Sequence, residues 1–468
     1  GMPHFSIIGM AGASLQESKD RVRSAVIHSG YKFPLTRKIV NLAPAEISKT
    51  GSHFDLLIAL GLMIASGQMK KFSEDILVIG ELGLEGGVQA VSGVLPAVLF
   101  AKEQGFKQVI LPLANLKEAS LVKGVDLIPM RSLKEVVTHF EKWPVAPRRE
   151  EFVLSDSAGP WTFDQISGHW AAKRALMIAA AGGHHVLMMG PPGTGKSLLA
   201  RAFPGLLPPL THEELLEVLR IRSVTGKTLQ RLDTSRPFRS VSPRLTPFGL
   251  LGGGPGLSPG EVSLAHRGVL FLDELAEFSG STLEGLRGPL EESEVVLKRG
   301  LQSCHFPCQF QLIAATNPCP CGYLGDLVKA CQCKPSQIAR YQNKLSGPLL
   351  DRMDIQIFVP RIPYDELAQR EEDSSQWVRE KVRQARERQR ARLKKHGLLL
   401  NQDMTPQLIK EEMLDTASSE MIKLAVQQHH LSGRAVHRII KVARTIADLE
   451  GKTQIQMSHL AEALQYRV

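Results

Sequence analysis

The chain has 468 residues, 43% hydrophobic and 22% charged, a globular balance large enough for several cored domains. Its 57 Lys and Arg exceed its 47 Asp and Glu, and the net charge of +10 favours a polyanionic partner such as nucleic acid without requiring one. No apolar run reaches membrane-spanning length and no signal peptide opens the sequence, so a cytoplasmic protein with no membrane partner is expected.

Residues 3 to about 140 read as a first, compact α/β or α+β unit. Helices are expected over 14–30, 54–66 and 92–104, and strands over 75–80, 109–112 and 126–130. The opening Gly1-Met2 pair reads as the remnant of a removed tag, so this unit is expected to be truncated at its start. It carries no metal cluster, catalytic triad or glycine-rich phosphate loop in its sequence. Residues 143–161 read as a linker, with Pro144, Pro147 and Pro160 and a charged stretch over 148–151. Residues 161–168 are expected to fold onto the nucleotide site that follows.

A helix over 171–182, stopped by Gly182-Gly183, leads into an apolar strand over 185–189. Gly190-Pro191-Pro192-Gly193-Thr194-Gly195-Lys196-Ser197 then fills every fixed position of the GxxxxGK[ST] phosphate-binding loop, with a helix opening behind it. Glycines let backbone N–H groups curl around a polyphosphate, and the helix N-terminus adds partial positive charge. Lys196 would face the β and γ phosphates of ATP, and the Ser197 hydroxyl would sit on Mg²⁺.

Residues 203–259 are long and rich in Pro, Arg and Gly, with a helix start at Thr211 and a mobile or sharply turning loop over 251–256. The run 268–274 is an apolar strand ending in Asp273 and Glu274, which places two carboxylates at the edge where ligands sit in open α/β sheets. Asp273 would hold Mg²⁺ through water and Glu274 would polarise the attacking water. A hairpin is expected near 294–300 and a core strand over 309–315, with Asn317 just beyond it as a polar group for the γ-phosphate or the water.

All 6 cysteines fall between Cys304 and Cys333, which speaks against a spread disulfide scaffold. Cys319 and Cys321 form one CxC pair, and Cys331 and Cys333 another. Four thiolates so placed can close a tetrahedral structural Zn²⁺ site, while four reduced thiols in a small packed loop are the plain alternative. Cys304 and Cys308 read as core residues. A core strand is expected over 355–359, and the chain beyond 360 reads as helical and polar. Its densely basic stretch over 370–395 reads mainly as a solvated helix face, and a helical bundle closes the chain over 421–468.

Residues 190–197, 270–274, Asn317 and Arg352 together resemble an AAA+ ATPase. The stretches 41–45, 54–56, 93–97, 179–185, 317–323, 346–354 and 441–449 are similar to the magnesium-chelatase-like branch, and within it to the ComM/YifB family. That resemblance spans essentially the whole chain. It implies an α/β fold with a Lon-protease-like N-terminal domain (1–142), a linker (143–162), an AAA+ P-loop core (163–362) and a C-terminal helical lid (363–468). It further implies a homo-hexameric ring that uses ATP and Mg²⁺ to act on single-stranded or branched DNA, driving branch migration in natural transformation. Arg352 resembles the arginine finger and Arg434 the sensor-2 arginine. The bland alternative for Arg352 is a pair with Asp351 or Asp354 that braces the chain. The glycine-rich stretch 252–256 and the hairpin 294–300 would face the pore, making Lys298 and Arg299 candidate DNA contacts.

Three departures from the family stand out. The Pro-His-His that usually follows Arg236-Pro237-Phe238-Arg239 is here Ser240-Val241-Ser242-Pro243. His169 replaces the usual glutamine after Gly168. The Lon-like unit lacks the Ser-Lys pair, since Ser52 has no lysine offered near Val94-Leu95-Pro96, so no peptidase activity is expected. Two other readings stand beside a DNA motor: a magnesium-chelatase-type ATPase that remodels a protein partner, and a non-catalytic nucleotide-dependent assembly module.

Overall fold

The structure, a computed structural model, describes residues 5–9, 13–43, 49, 51–151, 161–225, 233–254, 256–300, 302–326, 328–345, 347–362, 375–412 and 414–467. The chain divides into two compact units, one made of residues 1–155, 215–232 and 300–302, the other of 156–214, 233–299 and 303–468.

In the first unit, strands Ile76–Val78, Gln108–Pro112 and Asp126–Met130 form a parallel sheet with the middle segment at its centre. Their near-continuous apolar sequence is what a sheet covered on both faces requires. Helix Asp55–Ala65 buries most of its length, and the buried Asp55 carboxylate is paired with Arg21 at 2.7 Å. Two features carry no clear sequence signal. Phe5–Ile8 pairs in parallel with Lys38–Asn41, and helix Leu133–Glu141 is capped by Ser132, whose hydroxyl accepts from the Glu135 N–H. Residues 145–150, expected as linker, are strapped along this unit: Arg148 N–H donates to Leu127 O at 2.9 Å and the Arg149 guanidinium to Val122 O at 2.6 Å. The Pro160 end of that stretch lies outside the described residues, as do Pro44 and Ala45. The Ser52 hydroxyl donates to the Glu81 carboxylate.

The second unit is built on five parallel strands: β1 (Val186–Met189), β2 (Phe238–Val241), β3 (Val269–Leu272), β4 (Gln311–Thr316) and β5 (Ile355–Phe358). Their spatial order is β5-β1-β4-β3-β2. Every residue of β3 and β4 is buried, as expected for central parallel strands. The edge strand β2 lies within the stretch that the sequence presents only as long and irregular. The glycines after Leu251 do turn sharply, with φ of +101° at Gly252 and +137° at Gly253, and these two pair with Pro259 and Ser258. Pro255 falls outside the described residues.

Helices α1 (Trp170–Gly182), α3 (Ser375–Leu393), α4 (Gly433–Leu449) and α5 (Met457–Gln465) share one apolar core with the sheet, while α2 (Lys196–Ala202) runs from the phosphate loop. The basic helix α3 is only partly the solvated face expected of it. Arg383 fits that reading, paired with Glu380 and Glu387 on the surface. Arg386 does not: it is buried and gives two hydrogen bonds to Ala180 O, at 2.9 and 2.7 Å, while Gln389 reaches Ala181 O. These are terminal carbonyls of α1 that lack intrahelical partners, and a charged and a neutral side chain of α3 satisfy them. Arg392 likewise pairs with buried Asp448 of α4 at 2.8 Å.

Where β5 begins, Asp354 ties the core to α4. One oxygen accepts from the His185 N–H at 3.1 Å and the other is paired with Arg438. Burial would raise the Asp354 carboxyl, but the His184 ring 3.6 Å away and the charge of Arg438 hold it far below the usual range. Burial also pushes His185 down to about 4, against the pull of Asp354 and with help from Arg438, His184 and Lys441. The Leu312 N–H donates to His185 Nδ1 at 3.0 Å, which a doubly protonated ring could not accept. An unfolded His185 therefore takes up its proton near pH 6.5 and the folded one only near 4, so stability is complete above about 6.5 and falls toward 4. Urea unfolding followed from pH 7.5 to 4.5 should show a loss on the order of 3 kcal/mol from this residue, reduced in His185→Gln. Equal slopes for wild type and variant would contradict the assignment.

Candidate nucleotide site

The phosphate loop connects β1 to α2 at the C-terminal edge of the sheet. Gly190 is required by close approach: a Cβ there would lie 2.2 Å from Val359 O. Gly195 is required by conformation, with φ of +82° at the turn into α2. Lys196 is buried, and its ammonium donates to Gly190 O and Pro191 O at 2.7 Å each, with Asn317 Oδ1 at 3.5 Å. Burial lowers its pKa, opposed by the carboxylates of Asp273 and Glu274. The Thr194 hydroxyl donates to Pro191 O at 3.0 Å, closing the loop on itself.

Three strand ends converge here. The Ser197 hydroxyl donates to Asp273 Oδ2 at 2.8 Å, so the oxygen donors expected of a Mg²⁺ site meet across two different segments. This hard-oxygen pair beside an anion-binding loop fits a Mg²⁺–nucleotide, which Pro192, Gly193 and the rest of the loop would cradle. Asp273 Oδ1 accepts from the Glu274 N–H at 3.0 Å. Glu274 is exposed and left-handed, with φ of +53°, a conformation that non-glycine residues rarely adopt and that accumulates at functional positions. The structure thus brings together Lys196, Ser197, Asp273, Glu274 and Asn317. His169, which stands where the family resemblance leads one to expect glutamine, hydrogen-bonds the Thr194 backbone and touches the loop. Tyr341 escapes sequence reasoning: its buried hydroxyl bonds Thr316 at the end of β4. A lone tyrosine on a short polar helix gives no signal of that role.

Arg352 and Arg434 stand apart from the loop and together. Both line a cavity of about 490 Å³, with Glu291, Asp351, Arg438 and Lys441, and no phosphate-loop residue lines it among the described residues. Arg352 is largely buried and ion-paired with Glu291. Of the two bracing partners that the sequence offers it, Asp354 is taken by Arg438. Arg438, one helical turn after Arg434, also donates to Arg352 O at 2.8 Å.

The four cysteines of the two CxC pairs gather to within 4.8 Å of one another by their sulfur atoms. Cys319 Sγ lies 3.4 Å from Cys321 Sγ and 3.6 Å from Cys331 Sγ. Backbone hydrogen bonds, from Tyr323 first and Gln332 next, pull the Cys321 thiol down to about 6. Cys308 is buried as expected, whereas Cys304 is only half-buried on the hairpin. That hairpin pairs Glu294–Arg299 with Gln302–Pro307, and Lys298 and Arg299 are exposed near its tip. No described helix is long and apolar enough to cross a membrane.

Comparison with known proteins converges on the same assignment. Residues 162–367 match the family described as magnesium chelatase, subunit ChlI; residues 1–115 match subunit ChlI of Mg-chelatase, and 372–467 its C-terminal region. The competence protein ComM of Haemophilus influenzae is 42% identical over 478 residues, spanning 100% of this chain and 92% of that protein. The uncharacterized protein YifB of Escherichia coli is 39% identical over 475 residues, with 100% and 92% covered. An archaeal Lon protease of Methanocaldococcus jannaschii is 34% identical over 114 residues, 23% of this chain and 18% of that one. With its parallel P-loop sheet, its Lon-like N-terminal region and its helical C-terminus, the chain belongs to the magnesium-chelatase-like AAA+ ATPases, in the ComM/YifB family.

Proposed function

We propose that this protein is a cytoplasmic, ring-forming ATPase that uses ATP and Mg²⁺ to move single-stranded or branched DNA, working as a homo-hexameric branch-migration motor during natural transformation. The observation that carries the ATPase half is the convergence of Lys196, Ser197, Asp273 and Asn317 around one loop. The DNA half is supported by full-length similarity to a protein named for competence, by the net charge of +10 and by the exposed basic pair Lys298 and Arg299 on the hairpin. A structural Zn²⁺ held by Cys319, Cys321, Cys331 and Cys333 completes the reading, and the domain limits are taken as 1–142, 143–162, 163–362 and 363–468.

In this reading the loop and Lys196 bind the polyphosphate, and Ser197 and Asp273 hold the Mg²⁺, which supplies charge neutralisation when bound. Glu274 accepts a proton from the attacking water, and Asn317 orients it. Arg352 serves the nucleotide of the neighbouring subunit as an arginine finger and Arg434 acts as the sensor-2 arginine; the support is that both line one cavity and that no described residue of their own phosphate loop lines it. A guanidinium presented there stabilises charge developing on the phosphoryl oxygens. The match to the chelatase subunit favours a second reading, remodelling of a protein partner.

ATP turnover measured with and without forked DNA, across a salt series, separates the two. Stimulation by DNA that falls as salt rises is expected, since phosphate contacts release counterions. Stimulation only by a protein partner would favour the second reading. Lys196→Ala should abolish nucleotide binding. Glu274→Gln should bind ATP normally while turnover falls about 100-fold or more; unchanged turnover would remove Glu274 from its role. Arg352→Ala should retain ATP binding and lose roughly 10³–10⁵ in rate. Mixed rings of Arg352→Ala and Lys196→Ala subunits should regain turnover, because each Lys196→Ala subunit lends its Arg352 to a neighbour with an intact loop. Confirmed mixed rings no more active than either parent would show that Arg352 does not work across the interface.

A further inference from the structure

The thiol cluster is joined to the nucleotide site by covalent and packing contacts that a merely local brace would not need. Asn317 is followed by Pro318 and then by Cys319, so the first sulfur ligand stands two residues from the polar group that faces the loop. With consecutive Cα atoms about 3.8 Å apart, no slack separates them. Cys319 is fully buried.

The far end of the cluster returns to the same place. Cys333 leads into helix Pro335–Gln342, whose Gln342 amide donates to Pro318 O at 3.2 Å and whose Tyr341 bonds Thr316. Between the CxC pairs, the backbone touches the phosphate loop itself. Gly322 has φ of +84°, and a Cβ on it would lie 2.7 Å from Pro192 Cδ and 3.7 Å from Asn317 Cγ. One small residue of the cysteine loop is thus wedged against both walls of the nucleotide site.

The sulfur geometry suits a metal. The separations of 3.4, 3.6 and 3.6 Å among the Cys319, Cys321 and Cys331 sulfur atoms are close to the edge of a tetrahedron with Zn–S bonds of about 2.3 Å, and Cys333 Sγ lies within 4.8 Å of all three. The Cys321 N–H points at Cys333 Sγ at 3.4 Å and the Cys333 N–H at Cys331 Sγ at 3.5 Å, the backbone donors that stabilise ligating thiolates. Only weak S–H···S contacts link the sulfur atoms in the absence of a metal, whereas a bound Zn²⁺ would tie all four by strong bonds.

We propose that Zn²⁺ bound by Cys319, Cys321, Cys331 and Cys333 sets the position of Asn317 and of Pro192 in the phosphate loop, so that metal occupancy controls nucleotide affinity. This rests on the ATPase and zinc readings above and adds their coupling. The residues of the metal site touch no part of the nucleotide; they act through Asn317 and Gly322, as positioning residues.

The test measures zinc content and the Kd of a fluorescent ATP analogue on the same full-length protein. Untreated protein should hold one zinc per chain. Stripping it with a chelator, followed by dialysis into Mg²⁺ buffer, should weaken the analogue about tenfold or more, and added Zn²⁺ should restore it. Because stripping could also unfold the chain, Gly322→Ala provides an independent arm. It keeps all four thiols but places a Cβ against Pro192, and should retain zinc while losing affinity. Zinc bound, with Kd unchanged by stripping and by Gly322→Ala, would overturn the coupling and leave both earlier readings standing. Protein purified without zinc would overturn the metal site, and untreated protein that binds no nucleotide would overturn the ATPase reading instead.

Discussion

The site depends on one constraint: three parallel strands whose C-terminal ends lie at one edge of the sheet, β1 and β4 ending opposite each other and β3 two residues short of them. In β3, Leu272 is level with Ala314 of β4, and Ala314 with Leu187 of β1, so the residues that follow each strand emerge at the same edge. That alignment is what lets the Ser197 hydroxyl of one segment reach the Asp273 carboxylate of another at 2.8 Å. It also brings Lys196 to 3.5 Å from Asn317. A buried ammonium is tolerated there because carbonyls and carboxylates surround it, and the same surroundings suit a bound polyphosphate with its cation. The open α/β sheet supplies this edge by its construction, and the chemistry is added in the loops.

The opposite polarity holds where β5 begins. Asp354, buried beside β1, gathers the His185 backbone and Arg438, and Arg438 in turn holds the backbone of Arg352. The arginine proposed to serve a neighbouring subunit is therefore fixed by the helix α4 that carries Arg434. The buried Asp354 carboxylate thus ties the sheet to α4, and α4 holds the Arg352 backbone, so a change in the packing of α4 would be felt at Arg352.

What can be read from the sequence is what is local. The phosphate loop, the strand ending in Asp273 and Glu274, and Asn317 announce themselves within a few residues, because backbone chemistry fixes their spacing. The paired cysteines are legible as a cluster for the same reason. Contacts across long separations are not. Glu291 as the partner of Arg352 lies 61 residues away, and Arg386 reaches Ala180 across 206 residues, so a basic helix that reads as solvated is partly an internal cap for another. Strand β2 escapes notice because its four residues, Phe238–Val241, alternate too briefly and sit among prolines and arginines. The resemblance to the ComM/YifB family supplies the order of the domains, which no periodicity in residues 3–140 gives.

The central claim, that this ATP site drives movement on DNA, is tested most directly by following a labelled three-stranded branched DNA as its junction migrates. The account predicts migration by wild-type protein with ATP and Mg²⁺, none with a non-hydrolysable analogue, and none by Glu274→Gln even when that variant is saturated with ATP. Wild-type protein that hydrolyses ATP but leaves the junction where it started, at salt low enough for DNA to bind, would contradict it.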